Sequence, residues 1–453
     1  MKTSYMKILA LGSLVILSAL AFACTDFLDA KPEKDLVVPR SIQDLQALLE
    51  NVNVINTTPT LDIIAADEYF NTDQGWLSYN SGMVQQTHLR NFEQMFDENP
   101  FVADWSRPYE QVYRANLCLE VGEDISPKNE LEKEGLDNVL GSAYFIRAFA
   151  FHNLVKGFAE GYDSRRASSL AGVPLPLVSD ITIFHPFSTL EETYQQIISD
   201  LRASISYLPD VPRYKTRPSK AAAYALLARV YLIMGNYENA MESANACLAI
   251  QNELLDFNTV NPSALYPIPR ANEEVIYHTE AINYSSFARS METRVDTLLY
   301  QSYLNNDLRR QAYFQVQANQ AINFKGFFTG GPTHFTGLAV NEVLLTRAEC
   351  YARLGIVSEA LKDLNRLLGS RWKTEEFIPF EVSDQADAIN LIVQERRKDL
   401  LFNGIRWLDI KRLAAAGEWD SPLVRKLNNE TYKLDPRTDP LAFPIPADEL
   451  QNR

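Results

Sequence analysis

The sequence predicts a mainly α protein: a single domain of four helical pairs, interrupted by long loop-rich and partly irregular insertions. Two stretches, residues 219–249 and 341–368, carry most of that prediction. Ala228, Tyr231, Gly235 and Ala240 of the first fall on Ala348, Tyr351, Gly355 and Ala360 of the second at one constant offset. A third observation extends it, because Tyr144, Ala148 and Phe151 repeat the spacing of Tyr224, Ala228 and Tyr231. In each unit a small residue and an aromatic three positions on share one helical face. The small residue lets a second helix approach, and the ring fills the space beside it. Glycine then ends the first helix where the backbone must turn left-handed. Ala240, Ala244, Cys247 and Leu248 give the second helix its apolar face, as Ala360, Leu361, Leu364 and Leu368 do in the later unit.

This is the tetratricopeptide (TPR) spacing. TPR-like pairs are expected near residues 136–208, 219–249, 341–368 and 386–413. About three such units are needed to bury their faces by stacking. The four here are not contiguous, so the segments between them must pack on the helices. One integrated domain over 41–453 is therefore expected.

Taken in order, the chain opens on a targeting pattern. Lys2 and Lys7 precede an apolar run over 8–23, about 16 residues and shorter than the ~20 a spanning helix needs. Ala21, Phe22 and Ala23 lead directly to Cys24. The reading is a signal peptide over 1–23 and lipidation of Cys24, with 24–40 as a lipidated tether; the alternative is ordinary secretory cleavage with Cys24 incidental. Several acyl chains on one cysteine anchor stably where a single chain does not. A short helix is expected over 41–50, with Ser41 as its cap. Residues 57–86 show no sustained period, yet they carry Asp67, Tyr69, Phe70, Trp76 and Tyr79 among small polar residues. Long loops of this kind are usually functional or disordered, and the aromatics argue against disorder. Helices follow over 104–121 and 136–155. Ser188 and Glu191 predict a capping box for the next helix, which Pro209 and Pro212 end. Ligand-side insertions are expected near 57–100 and 252–337. A fourth helical pair, broken at Gly404, lies over 386–413.

Composition excludes several functions. A net charge of −15 over 453 residues is opposite to what phosphate-backbone binding requires. Cys118, Cys247 and Cys350 sit in helical patterns, and the role expected of them is that of small buried hydrophobes. The five histidines are scattered without metal-ligand spacing. No phosphate loop, nucleophile elbow or metalloprotease helix is present. Neither a cofactor nor a metal is expected, and no catalytic residue is assigned. The Glu395–Asp409 acids and bases read as structural ion pairs around Trp407.

The chain resembles the SusD/RagB family of outer-membrane lipoproteins. The residues that carry the likeness run in order along most of it. They are Thr25 to Asp29 after Cys24; Arg147 to Phe151; Val173, Pro174 and Leu175; Asn272, Glu274 and Tyr277; Asp307 to Arg310; Asn341 and Glu342; Asn365; and Pro444, Pro446 and Glu449. Most specific are Glu395, Arg396, Arg397, Leu400, Phe402, Gly404, Arg406, Trp407 and Asp409. Asp399 and Asn403 depart from the pattern, since Glu is common at both places. The resemblance implies a cell-surface, lipid-anchored outer-membrane protein without enzyme activity. It would bind a glycan or other nutrient and pass it to a SusC-type TonB-dependent outer-membrane transporter.

For the ligand, the loop-borne aromatics are the candidates: Phe70, Trp76 and Tyr79, then Tyr284 and Phe287. A sugar presents an apolar C–H face to an exposed ring, and loops on a rigid scaffold are where binding residues concentrate. Two other classes stay open: a TPR scaffold that binds peptide or protein, and an exported hydrolase.

Overall fold

The computed structural model describes residues 39–96, 101–284, 287 and 290–451. The expected signal peptide over 1–23, the lipidation site Cys24 and most of the tether lie outside the described residues. From Ile42 onward the described residues pack as one unit. No helix among them is long and apolar enough to cross a membrane.

The helical frame consists of α1 (Ile42–Leu49), α2 (Ala103–Glu123), α3 (Glu130–Phe158), α4 (Leu190–Tyr207), α5 (Lys220–Ile233), α6 (Tyr237–Ile250), α7 (Val340–Arg353), α8 (Val357–Gly369), α9 (Gln385–Asp399) and α10 (Arg406–Ala415). The pairs α3–α4, α5–α6 and α7–α8 pack closely, and α6 lies against α7. The two aligned repeats end their first helices identically. Gly235 and Gly355 adopt φ of +71° and +79°. Gly235 N–H donates to Leu232 O and Asn236 N–H to Tyr231 O at 3.1 and 2.9 Å. Gly355 and Ile356 make the same two bonds to Ala352 and Tyr351 at 3.0 and 2.8 Å. This is the Schellman motif, which satisfies carbonyls that the helix end would leave open. Ala228 and Ala348 are buried as their spacing requires.

Two details depart from the expectations. α3 begins at Glu130, capped by Asn129, whose side chain accepts from Glu132 N–H; its first turns are polar and gave no apolar period. The capping box of α4 is Thr189 with Glu192, one residue beyond Ser188 and Glu191. Ser188 instead donates to Val173 O at 2.7 Å, and the Glu191 carboxylate accepts from Tyr162.

Among the described residues every sheet is a two-stranded ladder. The aperiodic segments that carry these ladders are tied to the helices by buried ion pairs. Arg309 meets Asp307, Glu395 and Asp399 at 2.8, 2.7 and 3.2 Å. Arg371 meets Glu274 and Asp399 at 2.7 and 2.8 Å, and Asn341 donates to Asp399 at 2.8 Å. Both arginines are fully buried. Burial by itself would raise the Asp399 carboxyl, but Arg371 and Arg309 outweigh it and hold it below the usual carboxylate range. The scattered motifs of the sequence thus converge on one polar frame. Asp307, Arg309, Glu274, Asn341, Glu395 and Asp399 come from four segments and meet at one place.

The end of α9, the turn after it and the start of α10 clamp the first insertion. Arg406 grips Asp67 at 2.6 Å and Arg397 reaches it at 3.2 Å. Phe402, held at φ +59°, donates its N–H to Glu68 at 3.1 Å. Arg396 pairs with Asp409 at 3.0 Å, and Trp407 beside it is fully buried.

Candidate functional site

Strand β1 (Tyr69–Asn71) pairs antiparallel with β2 (Thr293–Val295), and Phe70 lies opposite Arg294. Alternation along a strand sends neighbours to opposite faces. Tyr69 points inward and is 1% exposed, whereas Phe70 points outward and is 39% exposed. Inward, Tyr69 packs against Phe287 with centroids 4.9 Å apart. Its hydroxyl donates to Ile64 O at 2.8 Å and lies 2.9 Å from His88 Nδ1. Tyr79 belongs to the same inner cluster, where Asn71 donates to its hydroxyl at 2.5 Å. Burial raises the Tyr79 and Tyr69 hydroxyls above their ordinary values.

The outer face carries different chemistry. Thr72, two residues beyond Phe70, donates its hydroxyl to Glu292 at 2.6 Å. Arg294 meets the same Glu292 carboxylate at 3.1 Å. Its Nε is buried with no hydrogen-bond partner among the described residues. Gly75 permits this closeness, since a Cβ there would lie 2.4 Å from Glu292 Cβ. A ring and a hydroxyl, a carboxylate and a guanidinium therefore share one exposed face. The ring suits the apolar side of a sugar, and the polar groups suit its hydroxyls, which both donate and accept.

The five aromatics expected to bind ligand are thus divided. Phe70 is outward. Trp76 is half-buried, and its indole N–H donates to Gln85 O at 3.1 Å. Tyr284 is half-buried on another segment, and its hydroxyl donates to Asp104 at 2.6 Å. Tyr79 and Phe287 are 4% and 1% exposed, so neither presents a free ring face. Asp104 also accepts the Thr60 and Leu61 N–H groups at 2.6 and 2.8 Å. Burial pushes its carboxyl up to about 6 despite these bonds. The same effect takes Glu68, the residue before β1, up to about 8.

A second concave surface escaped the sequence reading. Tyr109, Asn116 and Glu120 lie on one face of α2. They hold the 174–179 backbone through Pro174 O at 3.0 Å, Pro176 O at 3.0 Å and Ser179 N–H at 2.6 Å. A groove of about 410 Å³ results, lined by Tyr113, Val178, Ile181, Ile183 and Phe184 among others. Large apolar residues between Pro176 and Pro186 were the available signal. Among the described residues no group of three or more His, Cys, Asp or Glu side chains is placed to hold a metal ion.

Residues 26–232 match a family described as starch-binding and associating with the outer membrane. Residues 340–453 match the SusD family, and that match includes α7 to α10. SusD-like protein P2 of Formosa agariphila is 25% identical over 405 residues, covering 75% of this chain and 76% of its own. A SusD superfamily protein from Bacteroides fragilis superposes with a TM-score of 0.73 at 22% identity, covering 91% of this chain and 98% of its own. A laminarin-binding SusD-like protein superposes with a TM-score of 0.59 at 18% identity, covering 83% of this chain and 91% of its own.

Proposed function

Since this chain belongs to the SusD/RagB family, we propose that it captures a glycan at the cell surface and delivers it, unmodified, to a SusC-type TonB-dependent outer-membrane transporter. It is anchored in the outer membrane through acyl chains on Cys24. The outer face of β1 and β2 is the proposed binding surface, with Phe70 as the ring and Thr72, Glu292 and Arg294 as its polar partners. Trp76 flanks that surface, whereas Tyr79 and Phe287 support it from beneath; Tyr284, bonded to Asp104, lies apart from it.

The observation that carries this reading is the exposed Phe70 ring, paired across the ladder with the partly exposed Arg294. A ring that is partly open to water beside hydrogen-bonding groups offers a sugar both an apolar face and partners for its hydroxyls. The family's starch-binding description and the laminarin-binding structural neighbour support a glycan over a peptide. Absence of turnover fits the ion pairs of Glu395 to Asp409, whose carboxylates are occupied by arginines and by Lys398.

A glycan array probed with the full-length protein in detergent tests the binding reading. Retention of one or more neutral oligosaccharides is expected, with no shortened product after incubation. Retention of peptides alone would replace it by the scaffold reading, and hydrolysis would replace it by the enzyme reading. Tagged protein purified from its native membranes is expected to bring a large β-barrel partner with it. Purification without that barrel removes the delivery step.

A further inference from the structure

The segment between α4 and α5 is basic in a chain whose net charge is −15. Arg213, Lys215, Arg217 and Lys220 face a single acid of their own segment, Asp210. Three of the four have acidic company. Lys220 pairs with Asp210 at 3.1 Å and Arg217 pairs with Glu50. Lys215 is half-buried within reach of the Glu253 and Glu273 fields. Arg213 is exposed and has no hydrogen bond or ion pair among the described residues.

Tyr214 organises these cations. It is 54% exposed, and the guanidinium carbons of Arg213 and Arg217 lie 5.4 and 5.5 Å from its ring centre. Attraction to the ring holds each guanidinium near it while leaving outward N–H groups free to donate. Beneath the side chains the backbone is fixed. Arg217 N–H closes a turn onto Tyr214 O at 2.9 Å, and His278 N–H donates to Lys215 O at 2.7 Å. Asn56 donates to Thr216 O at 3.0 Å, and Pro212 and Pro218 bound the loop. A donor-rich cluster is therefore held in place before any ligand arrives, which lowers the ordering cost of binding.

We propose that Arg213, Tyr214 and Arg217 form a second binding site, distinct from the Phe70 face, for an anionic saccharide whose ring carries a sulfate ester or a carboxylate. The guanidinium N–H groups and the phenol O–H are donors to the oxoanion, and guanidinium matches such groups in two-point geometry. Glu50 occupies one side of Arg217, so Arg213 makes the principal contact. A neutral oligosaccharide lacks the charge that this donor set selects.

The test is calorimetric titration of the full-length protein in detergent with a heparin-derived tetrasaccharide, which carries both sulfate and carboxylate, and with maltotetraose as the neutral probe. Binding of the charged probe is expected to weaken as salt rises. Arg213→Ala is expected to weaken it about tenfold or more, as loss of a hydrogen bond to a charged group implies, and Arg213→Lys to restore part of the loss. Melting temperature reports on folding, and Arg213→Ala is expected to leave it unchanged because the side chain is exposed. Failure of the tetrasaccharide to bind, affinity for it that does not change with salt, unchanged affinity for it in Arg213→Ala, or an equal weakening of maltotetraose by Arg213→Ala would each overturn the proposal.

Discussion

The polar frame around Asp399 and the outer face of β1 and β2 are built from the same residue types, yet they are held to opposite ends. In the frame, Arg309 and Arg371 are fully buried and every carboxylate around them is paired. On the face, Arg294 is partly exposed and shares one carboxylate with Thr72. Aromatics divide the same way: Tyr69 is enclosed by Phe287, His88 and Phe402, while its neighbour Phe70 is open. A saturated set of partners makes a rigid joint. A partly exposed set makes a surface that a ligand can reach.

The contrast can be broken most severely at the joint. Arg371→Ala leaves Asp399 and Glu274 buried with a guanidinium missing, and a loss of about 3–5 kcal/mol is expected from removing one partner of a buried pair. Urea unfolding followed by circular dichroism reads it; a loss under about 1 kcal/mol would show that the frame is not what joins insertions to helices. A smaller effect is expected in the repeats. Gly355→Ala forces a Cβ into a left-handed turn at φ +79° and is expected to cost about 1–2 kcal/mol, read by the same transition.

Protonation sharpens the comparison next. Glu68 precedes β1 and accepts the Phe402 N–H, and burial raises its carboxyl from 4.5 to about 8. Between those values the folded chain holds a proton that the unfolded chain has released. Its contribution to stability is therefore present in full below about 4.5 and falls away as pH rises towards 8. Glu68→Gln is expected to flatten that part of the pH profile, measured as melting temperature from pH 5 to 8. An unchanged slope would place the titration elsewhere.

Much of this architecture is legible in the sequence, and the limits have physical causes. The repeats were readable because the Ala228 and Ala348 faces recur at helical spacing and Gly235 and Gly355 mark their ends. The first turns of α3 were not, because Glu130 to Glu134 are polar and capping by Asn129 left no apolar signal. Motif residues such as Asp307, Glu395 and Asp399 were visible one by one. Their meeting was not, since it depends on contacts across tens of residues. The divided fate of the aromatics was hidden too. A three-residue ladder such as β1 is too short to show a period of two, so nothing in the sequence told the inward Tyr79 and Phe287 from the outward Phe70. The groove lined by Ile181, Ile183 and Phe184 lies in a loop for which no periodicity exists.

The smallest expected change in stability falls on the residue with the largest expected role in binding. Phe70→Ala removes an exposed ring, so unfolding free energy is expected to stay within about 0.5 kcal/mol of the parent. The decisive measurement is the affinity of full-length Phe70→Ala for the oligosaccharide that the parent retains best on the array, titrated beside the parent protein. Weakening of about tenfold or more, equivalent to about 1.4 kcal/mol, with the unfolding transition unmoved, is the expected result. Parent-like affinity in a folded Phe70→Ala protein would contradict the assignment of ligand capture to the outer face of β1 and β2.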